Sequence, residues 1–276
     1  MDDMLTRFVR RARGDQRPRD LNAGQTVARA GCRPGRIRRL RGSRHTRWLV
    51  RVGVVLISLI VVLSVAAVAF VITLPGVGDA QARVQRVLAM HGGTYGRLPV
   101  PSKLGEAVVA VEDEHFYANF VVEILDGAGR ATLAALHQSR DPGGSTIPQQ
   151  LAKQLYGEGG SVGATLREIG LGVKLSLAYT KAELLNMYLN VVYYGNGLWG
   201  YVAAARGYFH TSPGRLDWAE AAMLAGLPQA PSALDPLVHL ASARERQRHV
   251  LDQLVRNHFL TRAQADRAFR TPLPLR

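Results

Sequence analysis

The 276-residue chain has a single cysteine, Cys32, which excludes an intrachain disulfide and a cysteine-based metal cluster. It is also poor in lysine. No Lys occurs before Lys103, although residues 1–51 carry fifteen Arg against four Asp. That surplus makes up most of the net +14, so the basicity belongs to an N-terminal tail and not to a folded domain. Charge of either sign is then missing from Val52 to Leu74, 23 residues. Alternation of apolar and polar residues at period two is scarce throughout, which argues against a β-rich domain. There is no Gly-Lys-Ser/Thr phosphate loop, no Ser-x-x-Lys and no Lys-Thr-Gly. Neither a nucleotide-binding loop nor serine acylation by a penicillin is therefore expected from this chain.

The uncharged run is long enough to cross a hydrocarbon core of about 30 Å at about 1.5 Å per residue. Arg44, Arg47 and Arg51 stand immediately before it, with Trp48 at the expected interface. An uncleaved single-pass anchor is expected over residues 48–74, with the N-terminus cytoplasmic and everything beyond Leu74 outside. Residues 1–47 then read as a basic, largely disordered tail lying against anionic inner-leaflet lipid. A basic arm alone would also suit nucleic acid. The adjoining anchor turns the reading to the membrane, and no nucleic-acid partner is expected. Ala80-Gln81-Ala82 resembles a signal-cleavage site, but the apolar run exceeds the about 7–15 residues of a signal h-region. Residues 75–100 hold Pro75, Gly76, Gly78, Gly92, Gly93 and Pro99, and read as a connecting stretch with a helix near Ala80 to His91. A domain follows over residues 101–276.

Helical signals dominate that domain. Glu106 to Tyr117 has an amphipathic pattern. Thr146 to Gln149, Thr165 to Glu168 and Thr180 to Glu183 each have the capping-box spacing. Pro148 is compatible with a helix start because it falls in the first turn. Asp217 opens another helix, and Ala241 to Asn257 and Thr261 to Phe269 follow. The expected fold class is mainly α, preceded by one transmembrane helix.

Two clusters carry the chemistry. In the first, Val108 to Val111 run straight into Glu112, Asp113 and Glu114, so Glu112 stands where the chain leaves a buried face. Such a site suits a general base. His115 has no second His at ligand spacing. In the second, Gly143 and Gly144 feed a helix beginning at Ser145-Thr146, whose free N–H groups suit an anion. Gln149 and Lys153 share one face of that helix.

Taken in order, these segments resemble the motifs of glycosyltransferase family 51, the peptidoglycan glycosyltransferases that occur alone or fused to penicillin-binding transpeptidases. The resemblance is carried by Glu112-Asp113-x-x-Phe116, Gly143 to Lys153, Lys181-x-x-Leu184-Leu185-x-x-Tyr188-Leu189-Asn190, Tyr194-Gly195-x-Gly197 and Glu220 to Ser232. It implies a lysozyme-like helical domain with a lobe dipping into the bilayer, here Phe120 to Leu125 and Ala131 to Leu136. It implies polymerisation of lipid II into β-1,4 glycan with inversion and release of undecaprenyl diphosphate, at the outer face of a bacterial plasma membrane.

Carried onto this chain, the resemblance makes Glu112 the base and Glu168 the second glutamate, holding a divalent cation (Mg or Mn) or orienting basic groups. Ser145, Gln149, Gln150 and Asn190 would contact substrate. Lys153, Arg167 and Arg130 would face the diphosphate. Partners would be lipid II, the growing glycan strand, the membrane and other cell-wall enzymes such as transpeptidases. The chain departs from the pattern at Asn119, Pro142, Pro148 and Ser176. It also lacks cations near Gly160 and at Ala164 and Thr165, where a basic residue and an Arg-Lys pair are usual. Two alternatives stay open at this point. One is a non-catalytic relative that binds lipid II or scaffolds wall enzymes. The other is a glycan-cleaving enzyme, which would need a general acid.

Overall fold

A computed structural model of the chain describes residues 44–99, 101–118, 145–157 and 161–275. The chain divides between Val55 and Leu56 into two units, and of the first only the opening turns of an N-terminal helix fall among the described residues. That helix, α1, runs Arg44–Thr73. Leu56, Ile60, Leu63, Val65 and Val68 are exposed on every side of it, and among the described residues its most apolar stretch is not buried. A helix that is apolar all round and uncovered satisfies its surface in lipid and not in water. It fits a single-pass membrane anchor.

The C-terminal end of α1 belongs to the second unit and is held within it. Lys174 Nζ donates to the carbonyls of Ile72, Leu74 and Pro75. An ammonium there satisfies terminal carbonyls and meets the negative end of the helix dipole. Gly170 leaves room for the same contact, because a Cβ on it would lie 2.4 Å from Leu74 Cδ1.

Helix α2 (Ala80–Met90) buries Ala80, Val84 and Leu88, one stripe at helical spacing. Together with Val77 and Leu98 these residues join the main core, so the segment read as a connection packs as part of the domain. Helix α3 spans Lys103–Glu112. It starts three residues earlier than the expected Glu106, because Ser102 caps it by accepting from Gly105 N. It ends at Glu112, where Asp113 turns extended (φ −157°), and not at Tyr117.

Among the described residues the further α-helices are α4 (Ile147–Tyr156), α5 (Val162–Ala178), α6 (Lys181–Val191), α7 (Gly200–Phe209), α8 (Trp218–Gly226), α9 (Leu240–Arg256) and α10 (Arg262–Arg270). Among the described residues there is no strand, only a lone bridge between Tyr193 and Trp199. The mainly α expectation holds. Helix α3 packs against α8 and α9, and α4 packs against α5 and α6. The α8 face of Ala219, Ala221, Ala222 and Ala225 is buried, and its small side chains let the neighbouring helices approach. Gly200 takes φ +78° where α7 begins, and a Cβ there would lie 2.8 Å from the Asn190 carbonyl oxygen.

The capping box at Thr180/Glu183 forms as expected, and Asp217/Glu220 makes another. The one expected at Thr165/Glu168 does not form. Ser161 caps α5 by accepting from Ala164 N, which puts Thr165 inside the first turn with its hydroxyl donating to the Ser161 carbonyl. Glu168 therefore has no capping role.

Candidate active site

The site grows from the end of α3. Asp113, 1% exposed, accepts from the backbone N–H of Ile147 at 3.0 Å through Oδ2. This joins the end of α3 to the N-terminus of α4 and satisfies one of its terminal donors. Gln150, in the first turn of α4, is thereby brought to Glu112. Its Nε2 donates to Glu112 Oε2 at 2.9 Å and to the Ser145 carbonyl at 3.4 Å. Its Oε1 accepts from the Tyr188 hydroxyl at 2.9 Å.

From the other side α9 supplies Arg246, whose Nη2 lies 3.7 Å from Glu112 Oε1, the two side chains being 15% and 14% exposed. The Arg246 stem lies over Gly226 at the end of α8, where a Cβ would come within 2.7 Å of Arg246 Cγ. Burial pushes the Arg246 guanidinium down from its ordinary value, and the Glu112 charge pushes it back up. Burial, and then the negative charge of Glu112, raise the hydroxyl of Tyr188 well above its ordinary value. Tyr194 is raised by burial first, with Tyr201 and Glu112 adding to it. Both phenols stay neutral.

Glu168 is set differently. It is half-buried on α5, and burial raises its carboxyl while Lys153 on α4 lowers it. The two helices run antiparallel here. A Cβ on Gly172 would lie 3.1 Å from the backbone nitrogen of Gln149, and one turn along from that contact Lys153 meets the field of Glu168. Lys153 and Arg167 are exposed. Ala164 and Thr165, where cations are usual, sit uncharged in the first turn of α5.

The structure thus brings Glu112, Gln150 and the Ser145 carbonyl together, and separately pairs Glu168 with Lys153. Gln149 Oε1 accepts from Thr146 N at 3.1 Å, so that oxygen serves the start of α4. Asn190 is fully buried. Its amide donates to the carbonyls of Gly96 and Asn186 and accepts from Gly96 N. It ties the 95–98 segment to α6 through these backbone bonds. Arg130, Asn119, Pro142, Gly143, Gly144, Gly160 and the two apolar lobe stretches lie outside the described residues.

Among the described residues no group of three or more His, Cys, Asp or Glu converges. Glu168 does fit the one or two carboxylates with which Mg²⁺ is usually held beside substrate phosphates. A cavity of about 390 Å³ lined by Gln81, Tyr95, Arg97, Tyr179 and Asn186 contains neither glutamate. Sequence reasoning missed Arg246, which stands among the other arginines of α9 with no pattern to mark it. It also missed the structural part of Asp113, whose place after the last residue of α3 was the available signal.

The sequence model of the family described as Transglycosylase matches residues 94–255, a span holding Glu112, Gln150, Glu168 and Arg246. The chain is 39% identical over 178 residues to a Cupriavidus necator protein provisionally named a transglycosylase, covering 64% of this chain and 77% of that protein. It is 36% identical over 174 residues to penicillin-binding protein 1A of Neisseria gonorrhoeae, covering 63% of this chain and 22% of that one. Against penicillin-binding protein 2a of Streptococcus pneumoniae it is 36% identical over 192 residues, or 69% of this chain and 26% of that protein. The chain therefore spans about a quarter of the penicillin-binding relatives it matches. The crystal structure of penicillin-binding protein 1A from Haemophilus influenzae overlaps 66% of this chain and 18% of that one, at TM-score 0.40 and 23% identity. The family assignment rests on the sequence matches.

Proposed function

This chain belongs to the transglycosylase family and is a peptidoglycan glycosyltransferase, and from that premise we propose that it polymerises lipid II with Glu112 as catalytic base. The observation that carries the proposal is the way Glu112 is held. Gln150 occupies one carboxylate oxygen at 2.9 Å, while Arg246 stands 3.7 Å from the other, beyond a direct hydrogen bond. The adjacent guanidinium favours the ionised form, the state in which a carboxylate accepts a proton.

In the step proposed, Glu112 takes the proton of the acceptor sugar hydroxyl. That oxygen bonds to the anomeric carbon of the lipid-linked donor, and the bond from this carbon to the diphosphate breaks. Attack opposite the departing group inverts the centre and gives a β-1,4 link. Undecaprenyl diphosphate leaves with the electron pair and needs positive charge more than a general acid. Lys153 and Arg167 supply that charge beside Glu168, and Arg130 is proposed to add to it. A divalent cation, when bound, would neutralise the same oxygens, with Glu168 the carboxylate able to hold it. With Ala164 and Thr165 uncharged, more of this burden falls on Lys153 and Arg167. The anchor would place the domain at the outer face of the plasma membrane, where lipid II, the growing strand and transpeptidases meet.

The test is to incubate the purified full-length protein with lipid II and Mg²⁺ or Mn²⁺ and resolve the products. Polymer supports the proposal. Binding without turnover under every metal condition would replace it by a lipid II-binding scaffold, and cleavage of preformed glycan by a hydrolase. The proposed topology is checked by adding protease to intact spheroplasts, where digestion of the domain after Leu74 is expected and full protection contradicts it.

A further inference from the structure

We infer that Tyr188 is a positioning residue for this reaction, its buried hydroxyl acting through Gln150 to fix how Glu112 presents its carboxylate. The inference rests on the reading of Glu112 as base. Tyr188 sits on the inner face of α6, 1% exposed, among the buried Leu184, Leu185 and Leu189. A phenylalanine would fill that space as well. The hydroxyl has a definite use, donation to Gln150 Oε1 at 2.9 Å.

Gln150 has one acceptor oxygen and one NH₂ group, and each has its place. A carboxylate only accepts, so the NH₂ must face Glu112, as it does at 2.9 Å, with Ser145 O at 3.4 Å as its second acceptor. That orientation aims Oε1 away from Glu112 into the core, where it requires a donor. Tyr188 is that donor. Without it a part-buried carbonyl oxygen loses its protein donor, which favours rotation of the amide and release of Glu112 Oε2. The Tyr188 bond also polarises the amide and strengthens its N–H donation to the carboxylate. Glu112 is thus fixed on one side through a two-bond relay from α6, and on the other by Arg246 from α9.

The experiment measures kcat and KM for lipid II polymerisation in four full-length proteins: wild type, Tyr188→Phe, Gln150→Met and the double variant, each checked for an unchanged melting profile. Tyr188→Phe is expected to lower kcat about tenfold, less than the about 10²-fold that a misplacement of about 1 Å costs, with KM little altered. The acid limb of its kcat–pH profile should move to higher pH, because the carboxylate loses a polarised donor. In the Gln150→Met background the same change should cost less than about twofold, since the relay is already cut. An equal loss in both backgrounds, or a wild-type kcat in Tyr188→Phe, overturns the inference. If Gln150→Met is too slow to assay, the acid limb decides, and an unmoved limb in Tyr188→Phe overturns it. A wild-type protein that makes no polymer would instead fail the parent reading, which this outcome keeps distinct.

Discussion

The two glutamates of this domain are held in opposite ways. Glu112 ends a helix, is 14% exposed, and is gripped by a side-chain amide from α4 and a guanidinium from α9. Glu168 lies mid-helix, half-buried, with no hydrogen bond to its carboxylate among the described residues and only the field of Lys153 to offset its burial. The first is oriented by contacts and the second is tuned by surrounding charge. Carboxylates whose environments differ in this way take different tasks in one reaction. Orientation suits a proton acceptor. A loosely held carboxylate beside cations suits the management of a departing diphosphate.

The contrast is tested most strongly at Glu112. Glu112→Gln is nearly isosteric and removes the proton acceptor, so turnover should fall by about 10²–10⁴-fold while lipid II binding persists. Wild-type turnover in that variant would remove Glu112 from the chemistry. Next in size is Arg246→Met, which takes away one side of the grip. A loss of about 10²-fold in kcat is expected, with a lower melting temperature because the part-buried Glu112 loses a neighbouring positive charge. Unchanged kinetics would mean that Arg246 takes no part in orienting the base.

Glu168→Gln sharpens the other side. The folded carboxyl titrates above its unfolded value, so its ionisation opposes folding at neutral pH, and this cost disappears below the unfolded value of about 4.3. The Gln variant should therefore melt no lower than wild type at pH 7, the difference closing as pH falls toward about 4. A clear drop in stability at pH 7 would indicate a structural role for Glu168. Lys174→Met has the smallest expected effect. It should cost about 0.3–1 kcal/mol, the usual worth of a cation at a helix C-terminus, and leave kcat in detergent unchanged. A kcat loss in detergent would mean that the end of α1 acts on the site itself.

Much of this was legible because the relevant residues are contiguous. The anchor is one uncharged run, and Glu112 and Gln150 lie in motifs whose helix starts and ends are written locally. The residues that complete the grip on Glu112 come from distant elements. Tyr188 reads as one more large residue on an inner helix face, and Arg246 as one more arginine on a charged helix, until packing places them. At α5, Ser161 and Thr165 stand one turn apart and both look like caps. In the structure Ser161 is the cap, accepting from Ala164 N, and local spacing does not choose between the two. The structural tie made by Asn190 is hidden for the same reason, since its partner Gly96 precedes the catalytic domain as the sequence delimits it.

The most direct test of the division of labour is chemical rescue. Glu112→Ala leaves Gln150 Nε2 and Arg246 converging on a space of carboxylate size, and formate is a proton acceptor small enough to enter it. With lipid II and a fixed divalent cation, formate should restore polymer in a concentration-dependent way to Glu112→Ala and leave Glu168→Ala unrescued. Formate restoring Glu168→Ala while Glu112→Ala stays silent would contradict the assignment and exchange the two roles.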